Sequence, residues 1–136
     1  MSTDCIFCKI VRGELSSYKV YEDDAVVAFL DINPISPGHT LVVPKRHVEN
    51  ILDADAETIA RVFQAVQKVA KILIEKLGAK GVNVLHNAGR EANQEIMHFH
   101  VHVIPRYSRD DLKFVDWWRS NIKKLDLAEI HRRITS

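Results

Sequence analysis

The chain has 136 residues, of which 46% are hydrophobic and 27% are charged, and its formal net charge is +1. The composition is ordinary for a soluble globular protein, and the length suits a single domain over residues 1–136 with one core. The small net charge excludes a large electrostatic surface for DNA or RNA, and no apolar run is long enough to cross a bilayer.

The first ten residues lack the basic start and the apolar run of a secretory signal, so we expect a cytoplasmic protein. This segment holds both cysteines of the chain, Cys5 and Cys8, in C-x-x-C spacing. In a reducing compartment that spacing indicates metal or redox chemistry before a structural disulfide. No βαβ pattern surrounds Cys5, which disfavours a thioredoxin-like activity and leaves either a metal site or two reduced cysteines without a ligand.

The first half of the chain predicts three strands. Residues 18–21 and 25–32 have the composition of strands, and the acidic cluster at 22–24 indicates a tight turn between them. Two prolines and a glycine break regular pairing over residues 33–38, which we therefore predict to be a loop. Residues 39–44 are apolar and β-branched, which favours a third strand.

A long helix is predicted over residues 53–77, because apolar residues recur there at steps of three and four. Asp53 or Asp55 would cap its start, and Gly78 stands where a left-handed residue commonly ends a helix. The periodic residues are Ile59, Val62, Phe63, Val66, Val69, Ala70, Leu73 and Leu77.

Two more strands are predicted over residues 81–86 and 98–105, and a short helix over 126–134. The segment between these strands, residues 87–97, is polar and has the composition of a binding loop. Five strands, one long helix and short connections favour an α+β domain in which the helix covers one face of an antiparallel sheet.

Three histidines alternate with apolar residues in the fifth predicted strand. Side chains alternate between the two faces of a strand, so His98, His100 and His102 share one surface. One zinc ion held by all three is an awkward arrangement, because side chains on one face of a straight strand stand about 7 Å apart. A histidine-rich polar face without a function is the remaining alternative. The intervening residues would pack under the long helix; they are Phe99, Val101 and Val103.

Residues 98–104 resemble the H-x-H-x-H-x-x signature of the histidine-triad (HIT) superfamily. Residues 5–10 resemble the N-terminal segment of that family, residues 28–34 its nucleoside-binding strand and loop, and residues 38–47 its third strand. Asn87 precedes the triad by the interval usual in the family. The resemblance implies a HIT-like α+β fold, with a five-stranded antiparallel sheet, one long helix and a short C-terminal helix.

The resemblance implies a role for each histidine near the reaction. The middle histidine is the nucleophile of the family, so His100 would attack phosphorus and form a nucleotidyl-histidine that water then hydrolyses. His102 would contact the phosphate and the leaving group. His39 would place the phosphate or support the triad, unless it is an exposed histidine at a strand edge. Asn87 would donate to a non-bridging oxygen or to the leaving group.

The resemblance also implies the residues that bind the nucleoside. Asp31 corresponds to the carboxylate that accepts hydrogen bonds from the ribose hydroxyls, and an apolar slot would take the base. For Ile10 and Phe29, a plain role in the core explains the residue equally well. The expected slot and the adjoining binding loop comprise Ile6, Phe7, Ile10, Phe29, Ile32, Gln94 and Ile96.

The loop before the triad departs from the family at two positions. Many relatives have glycine where Asn93 stands and a hydroxyl residue where Glu95 stands. Glu95 would repel a phosphate if it pointed inward. Either backbone N–H groups do more of the phosphate binding, or Glu95 acts on the leaving group.

A zinc site is implied by the resemblance to some microbial members of the family. These members complete a C-x-x-C pair with two histidines, which correspond here to His47 and His98. We therefore expect one structural Zn²⁺ ion held by Cys5, Cys8, His47 and His98, apart from the reaction itself.

The expected function is hydrolysis at the α-phosphate of AMP-linked substrates. Asn87 resembles the branch of the family that acts on adenosine phosphoramidates. The Ile-Pro-Arg ending at Arg106 resembles the branch that splits dinucleoside polyphosphates, although Arg106 also fits a solvated strand end. The alternative from another class is a non-catalytic, zinc-stabilised adaptor that binds a purine nucleotide, which would need Asp31 but no chemistry at His100.

Two other enzyme classes fit less well. A deadenylating enzyme for DNA ends would need an added nucleic-acid-binding region, and a galactose-1-phosphate uridylyltransferase would need two repeats in a longer chain.

A symmetric homodimer is the expected assembly. A five-stranded sheet has two edge strands, and the fourth predicted strand is too apolar to be left beside water. The resemblance implies that this strand and the long helix pair two chains into a ten-stranded sheet, with the C-terminal segment near the partner's active site. The residues behind this expectation are Phe63, Val66, Val82, Val84, Leu85, Trp117 and Trp118.

Overall fold

The structure, a computed structural model, describes residues 5–109 and 112–136. These residues form one five-stranded sheet and four α-helices, together with a short 3₁₀ turn at Arg90–Ala92. In chain order the elements are α1 (Ile6–Val11), β1 (Lys19–Glu22), β2 (Val26–Leu30), β3 (Thr40–Pro44), α2 (Ala56–Leu77), β4 (Gly81–Leu85), β5 (Val101–Arg106), α3 (Lys113–Ser120) and α4 (Leu127–Thr135).

The five strands lie in the order β1-β2-β3-β5-β4, and each neighbouring pair is antiparallel. The predicted α+β class with one antiparallel sheet is therefore confirmed. β5, which carries the end of the triad, lies between β3 and β4, while β4 is an edge strand. In this strand order, the loop that leads into β3 and the loop that leaves β4 lie on either side of the triad.

The long helix α2 ends at Leu77, as its sequence predicts, and begins at Ala56, after the second of its two predicted caps. Asp55 is the N-cap, and its carboxylate accepts a hydrogen bond from the N–H of Thr58 at 2.8 Å. Gly78 ends the helix with φ of 73°, a left-handed conformation that glycine adopts without steric cost. No helix within residues 5–109 and 112–136 is long and apolar enough to cross a membrane.

The sheet buries apolar side chains on both faces. The α2 face packs Val62, Val69 and Leu73 of the helix with Phe99 and Val101, as the alternation predicts. Burial of each such side chain contributes roughly 1.5–3 kcal/mol. On the opposite face, the short helix α1 packs onto the strands, in a cluster of Phe7, Ile10, Val27, Phe29, Leu41 and Val43. This second face carries the site.

β5 is shorter than predicted, because it begins at Val101 and not at His98. The N–H of Phe99 donates to the carbonyl of Val48 at 2.7 Å, so the backbone here is tied to the loop after β3. The segment 98–100 thus leaves the regular ladder, although its side chains still alternate between the faces. Two helices were not predicted, α1 and α3. The predicted C-terminal helix is α4, capped by Asp126.

Candidate functional site

The three triad histidines lie on the α1 face of the sheet. Phe7 of α1 packs edge-on against His98 and His100, with ring centroids 5.9 Å and 5.2 Å apart. The rings of His100 and His102 are 5.2 Å apart, and the ring of His39 lies 5.1 Å from that of His102. The structure therefore brings His39, His100 and His102 together, while His98 points to a separate cluster.

The backbone fixes the protonation of the His100 ring. Nδ1 of His100 lies 2.7 Å from the carbonyl oxygen of His98. A carbonyl only accepts hydrogen bonds, so Nδ1 carries the proton and Nε2 keeps its lone pair. Burial lowers the pKa of His100, which keeps the imidazole neutral and able to act as a nucleophile.

A chain of hydrogen bonds fixes the protonation of His102. The N–H of Ile35 donates to Nδ1 of His39 at 3.1 Å, so the proton of His39 is on Nε2. This nitrogen lies 2.9 Å from Nδ1 of His102 and donates to it. Nε2 of His102 therefore carries a proton. Burial lowers the pKa of both rings, that of His102 to about 4, with His100 and His39 as further causes.

His86, directly after β4, is a site residue that the sequence did not reveal. Its Nε2 accepts from the N–H of Ile51 at 3.1 Å, so its Nδ1 donates to the carbonyl of His100 at 2.9 Å. Its ring also packs on Phe99, with centroids 4.8 Å apart. His86 thus holds the backbone of the central triad residue. The only available signal was a histidine next to Asn87 in a strand predicted near the triad.

A cavity of about 340 Å³, here called the reaction cavity, opens over the triad. The predicted residues His39, His100, His102 and Asn87 all line it. The other described residues that line it are Phe7, Asp31, Asn33, Ile35, Leu41, Leu85, Asn93, Glu95, Ile96 and Ile104.

A second cavity of about 400 Å³, here called the nucleoside cavity, adjoins the reaction cavity and shares Phe7, Asp31 and Ile96 with it. Its walls are mainly apolar, and the predicted slot residues Ile6, Phe7, Ile10, Phe29, Ile32 and Ile96 all line it. Phe29 also belongs to the core, and its predicted contact with a base stays a prediction.

Asp31 lies at the junction of the two cavities. Its Oδ1 accepts from the N–H of Asn33 at 2.9 Å, and its Oδ2 lies 3.6 Å from Nε2 of His39. These contacts direct the carboxylate toward His39. Its oxygens can still accept further hydrogen bonds.

The structure does not bring Gln94 to either cavity. Its side chain is buried, its Oε1 accepts from Asn50 Nδ2 and the N–H of Gly89, and its Nε2 donates to the carbonyls of Glu49 and Ile96. All of its polar atoms are used within the protein. Gln94 therefore shapes the loop before the triad, and its position gives no support to the prediction that it binds substrate.

Four potential metal ligands converge beside the reaction cavity. The ligand atoms of Cys5, Cys8, His47 and His98 all lie within 4.8 Å of one another. Nδ1 of His98 is 3.3 Å from Sγ of Cys5 and 3.1 Å from Nδ1 of His47, which is 3.2 Å from Sγ of Cys8. A tetrahedral zinc ion holds such atoms roughly 3.3–3.8 Å apart, so the cluster has the size of a zinc site.

The hydrogen bonds around this cluster also suit a metal. Nε2 of His98 donates to the carbonyl of Pro44 at 2.9 Å, which leaves the lone pair of Nδ1 directed at the cluster. The N–H of Cys8 donates to Sγ of Cys5 at 3.3 Å. Burial, with Cys5 as a neighbour, raises the pKa of the Cys8 thiol to about 11 in the absence of a metal. The residues present therefore fit a zinc ion, which would hold both thiols deprotonated.

Known proteins are similar to this chain in sequence. The family model of the HIT domain matches residues 12–109. An uncharacterized HIT-like protein of Methanocaldococcus jannaschii is 45% identical over 132 residues, which are 96% of this chain and 98% of that protein. The adenosine 5′-monophosphoramidase of Schizosaccharomyces pombe is 37% identical over 97% of this chain and 96% of its own length.

A solved structure is similar as well. A zinc-bound histidine triad family protein from Mycobacterium smegmatis has 40% sequence identity and a TM-score of 0.79, over 84% of this chain and 83% of that one. The match of the domain model, the extended sequence identity and the shared fold together establish that this chain belongs to the HIT family.

Proposed function

We propose that this protein hydrolyses AMP-linked substrates at the α-phosphate, with Nε2 of His100 as the nucleophile. The observation that carries the proposal is the 2.7 Å hydrogen bond from Nδ1 of His100 to the carbonyl of His98. This hydrogen bond keeps the His100 ring neutral and leaves the free lone pair on Nε2. The ring lines the reaction cavity.

In the first step, a bond forms between Nε2 of His100 and the α-phosphorus, and the bond from phosphorus to the leaving group breaks. The leaving group takes a proton from water, and the N–H at Nε2 of His102 donates a hydrogen bond to it as the bond breaks. His39 holds the other nitrogen of His102 through its N–H, so this hydrogen-bond donor stays in the orientation that the reaction requires. Asn87 lines the cavity and donates to a phosphate oxygen or to the leaving group.

In the second step, water replaces His100 on phosphorus. The bond between phosphorus and Nε2 of His100 breaks, the attacking water gives up a proton to the solvent, and AMP leaves. His100 returns to its neutral form, His102 keeps its proton throughout, and the sum of the two steps is hydrolysis.

The nucleoside cavity supports a nucleoside monophosphate as the bound half of the substrate. Its apolar walls suit a planar base, and Asp31 at the junction is positioned to accept hydrogen bonds from ribose hydroxyls. The name of the fission yeast relative, an adenosine 5′-monophosphoramidase, supports AMP in particular. Adenosine phosphoramidates and dinucleoside polyphosphates are both candidates on this basis.

A structural zinc ion belongs to the same proposal. Cys5, Cys8, His47 and His98 would hold it, and it would tie α1 to the segment before β5. His98 lies two residues before His100, so a zinc ion bound to His98 would also hold the backbone of the nucleophile in place. The zinc-bound relative from Mycobacterium smegmatis supports this assignment.

A homodimer formed through β4 completes the proposal. Val84 and Leu85 on this edge strand are 47% and 45% exposed, and Phe63 on α2 is 37% exposed. Trp117 and Trp118 are also exposed, at 67% and 63%, which is costly unless a partner covers them. Val66, in contrast, is buried in the core.

The direct test is to incubate the protein with AMP-lysine, an adenosine phosphoramidate and a diadenosine polyphosphate, and to measure the AMP released. We expect release from at least one substrate, and an adenylylated protein that is trapped by alkaline quenching and detected by mass spectrometry. The modification should be absent from His100→Ala. Nucleotide binding without turnover on all three substrates would favour the adaptor function instead.

A further inference from the structure

We propose that Glu95 selects the leaving group by charge, and that it favours an amine, which departs toward an ammonium, over a phosphate. This inference rests on the proposed function and specifies which AMP-linked substrates the site prefers. It concerns a residue to which neither the fold nor the proposed mechanism assigns a task.

The reaction cavity has an unusual charge for a site that binds phosphate. Among the described residues that line it, the charged side chains are Asp31 and Glu95, and both are acidic. His39 and His102 are neutral, because Nδ1 of each accepts a hydrogen bond, from the N–H of Ile35 and from Nε2 of His39. An anionic leaving group would therefore meet no lysine or arginine along these walls, whereas a cationic one would meet carboxylates.

The two carboxylates occupy different sides of this cavity. Asp31 also lines the nucleoside cavity and is held by the N–H of Asn33. Glu95 does not line the nucleoside cavity, so it lies away from the base and ribose. Within residues 5–109 and 112–136, no side chain forms an ion pair with the Glu95 carboxylate, which stays available for a ligand.

Glu95 also borders a third cavity of about 460 Å³, which is lined by Cys5 and His47 of the metal-ligand cluster. The charged carboxylates there are Glu49, Asp53 and Glu95, and no lysine or arginine lines it. Asp53 is engaged by the N–H groups of Glu49 and Asn50. The rest of a leaving group, such as the carbon chain of a lysine, would extend past Glu95 into this third cavity, whose carboxylates are also negative.

The chemistry of the step explains the preference. When the P–N bond of a phosphoramidate breaks, the nitrogen accepts a hydrogen bond from His102 and takes two protons from water, so positive charge develops on it. A nearby carboxylate stabilises this charge. When a P–O bond of a polyphosphate breaks, negative charge develops on the leaving oxygen, and the same carboxylate opposes it.

The test compares the wild type with Glu95→Gln on two substrates that share the AMP half. One is AMP joined to the ε-nitrogen of lysine methyl ester, and the other is diadenosine tetraphosphate. We expect the wild type to prefer the lysine adduct in kcat/KM. Glu95→Gln should lower that value and raise the value for diadenosine tetraphosphate, which changes their ratio by roughly tenfold at low ionic strength and by less in high salt.

Glu49→Gln is the matched control, because it removes the same charge from the adjoining cavity without touching the reaction cavity. Its substrate ratio should stay within a factor of about two of the wild type. Equal changes on both substrates in Glu95→Gln, or a wild-type preference for diadenosine tetraphosphate, would overturn the role of Glu95. AMP release from neither substrate would overturn the proposed function itself, and this inference with it.

Discussion

Nε2 of His39 lies 2.9 Å from Nδ1 of His102, and the opposite nitrogen of His39 accepts the N–H of Ile35 at 3.1 Å. These two contacts leave a single arrangement of protons in which Nε2 of His102 donates into the reaction cavity. His39 therefore acts through His102 and is a positioning residue in the proposed reaction.

His39→Ala should lower kcat by roughly 10- to 100-fold with little change in KM, because outer partners of reacting groups commonly have effects of this size. His39→Gln should recover part of the loss, since its amide offers an N–H to His102 and an oxygen to Ile35. Steady-state kinetics on the best substrate would measure both. A loss that appears only in KM, or that Gln does not reduce, would contradict the positioning role.

His100→Asn should reduce turnover by roughly 10³-fold or more, because it removes the covalent nucleophile. The variant should still bind AMP, since the nucleoside cavity is unchanged, and calorimetry would measure this binding. His102→Ala should lose less activity, roughly 10²-fold, because water can replace a hydrogen-bond donor in part. If the two losses are reversed in size, the assignment of nucleophile and hydrogen-bond donor is wrong.

The pH dependence follows from the lowered pKa of His100. The reactive form is the neutral ring, and a pKa below the ordinary 6.5 keeps the ring neutral further into the acid range. The midpoint of the acid limb of kcat/KM should therefore lie below pH 6.5. A midpoint at or above pH 6.5 would show that the nucleophile is not held in a desolvated site.

Stability should decline over the same acid range. The pKa of His102 is about 4 in the folded protein and 6.5 in a free side chain, so the unfolded state binds a proton first as the pH falls. The free energy of unfolding should decrease from about pH 6.5 toward pH 4, and His102→Gln should flatten this decrease. Denaturant unfolding at a series of pH values would measure it.

Purified protein should contain about one zinc ion per chain, as one tetrahedral site requires. Elemental analysis would measure it, and His47→Ala should lose the metal while His131→Ala, on the exposed face of α4, keeps it. Chelation should lower Tm, since a structural zinc contributes to folding, and rebinding should release protons because the Cys8 thiol is protonated without metal. Zinc-supplemented protein without metal would contradict the site.

The molecular mass in solution should be twice the 15.5 kDa of one chain. Val84→Lys should shift it toward the monomer, because a charge on an edge strand opposes pairing. Val20→Lys is the matched control, since it places the same charge on β1, the edge strand at the other end of the sheet. Light scattering at micromolar concentration would decide, and a wild-type monomer with full activity would exclude the dimer.

Local patterns in the sequence were enough for much of the fold. The spacing of apolar residues, Asp55 and Gly78 predict α2 almost to the residue, because caps and periodicity act within one helix. The alternation around His100 likewise predicts which side chains face α2 and which face the site. The start of β5 was misplaced, because the contact of Phe99 with Val48 joins segments that are distant in the chain.

The sequence by itself determined the family, the α+β class, and the types of residue that we propose for the chemistry, because these depend on local composition and on motifs. Only the tertiary structure decided the protonation of each histidine, the use of Gln94 inside the loop and the support of His100 by His86. The physical reason is that a hydrogen bond depends on which partner lies within about 3 Å, and here the partners come from different strands and loops.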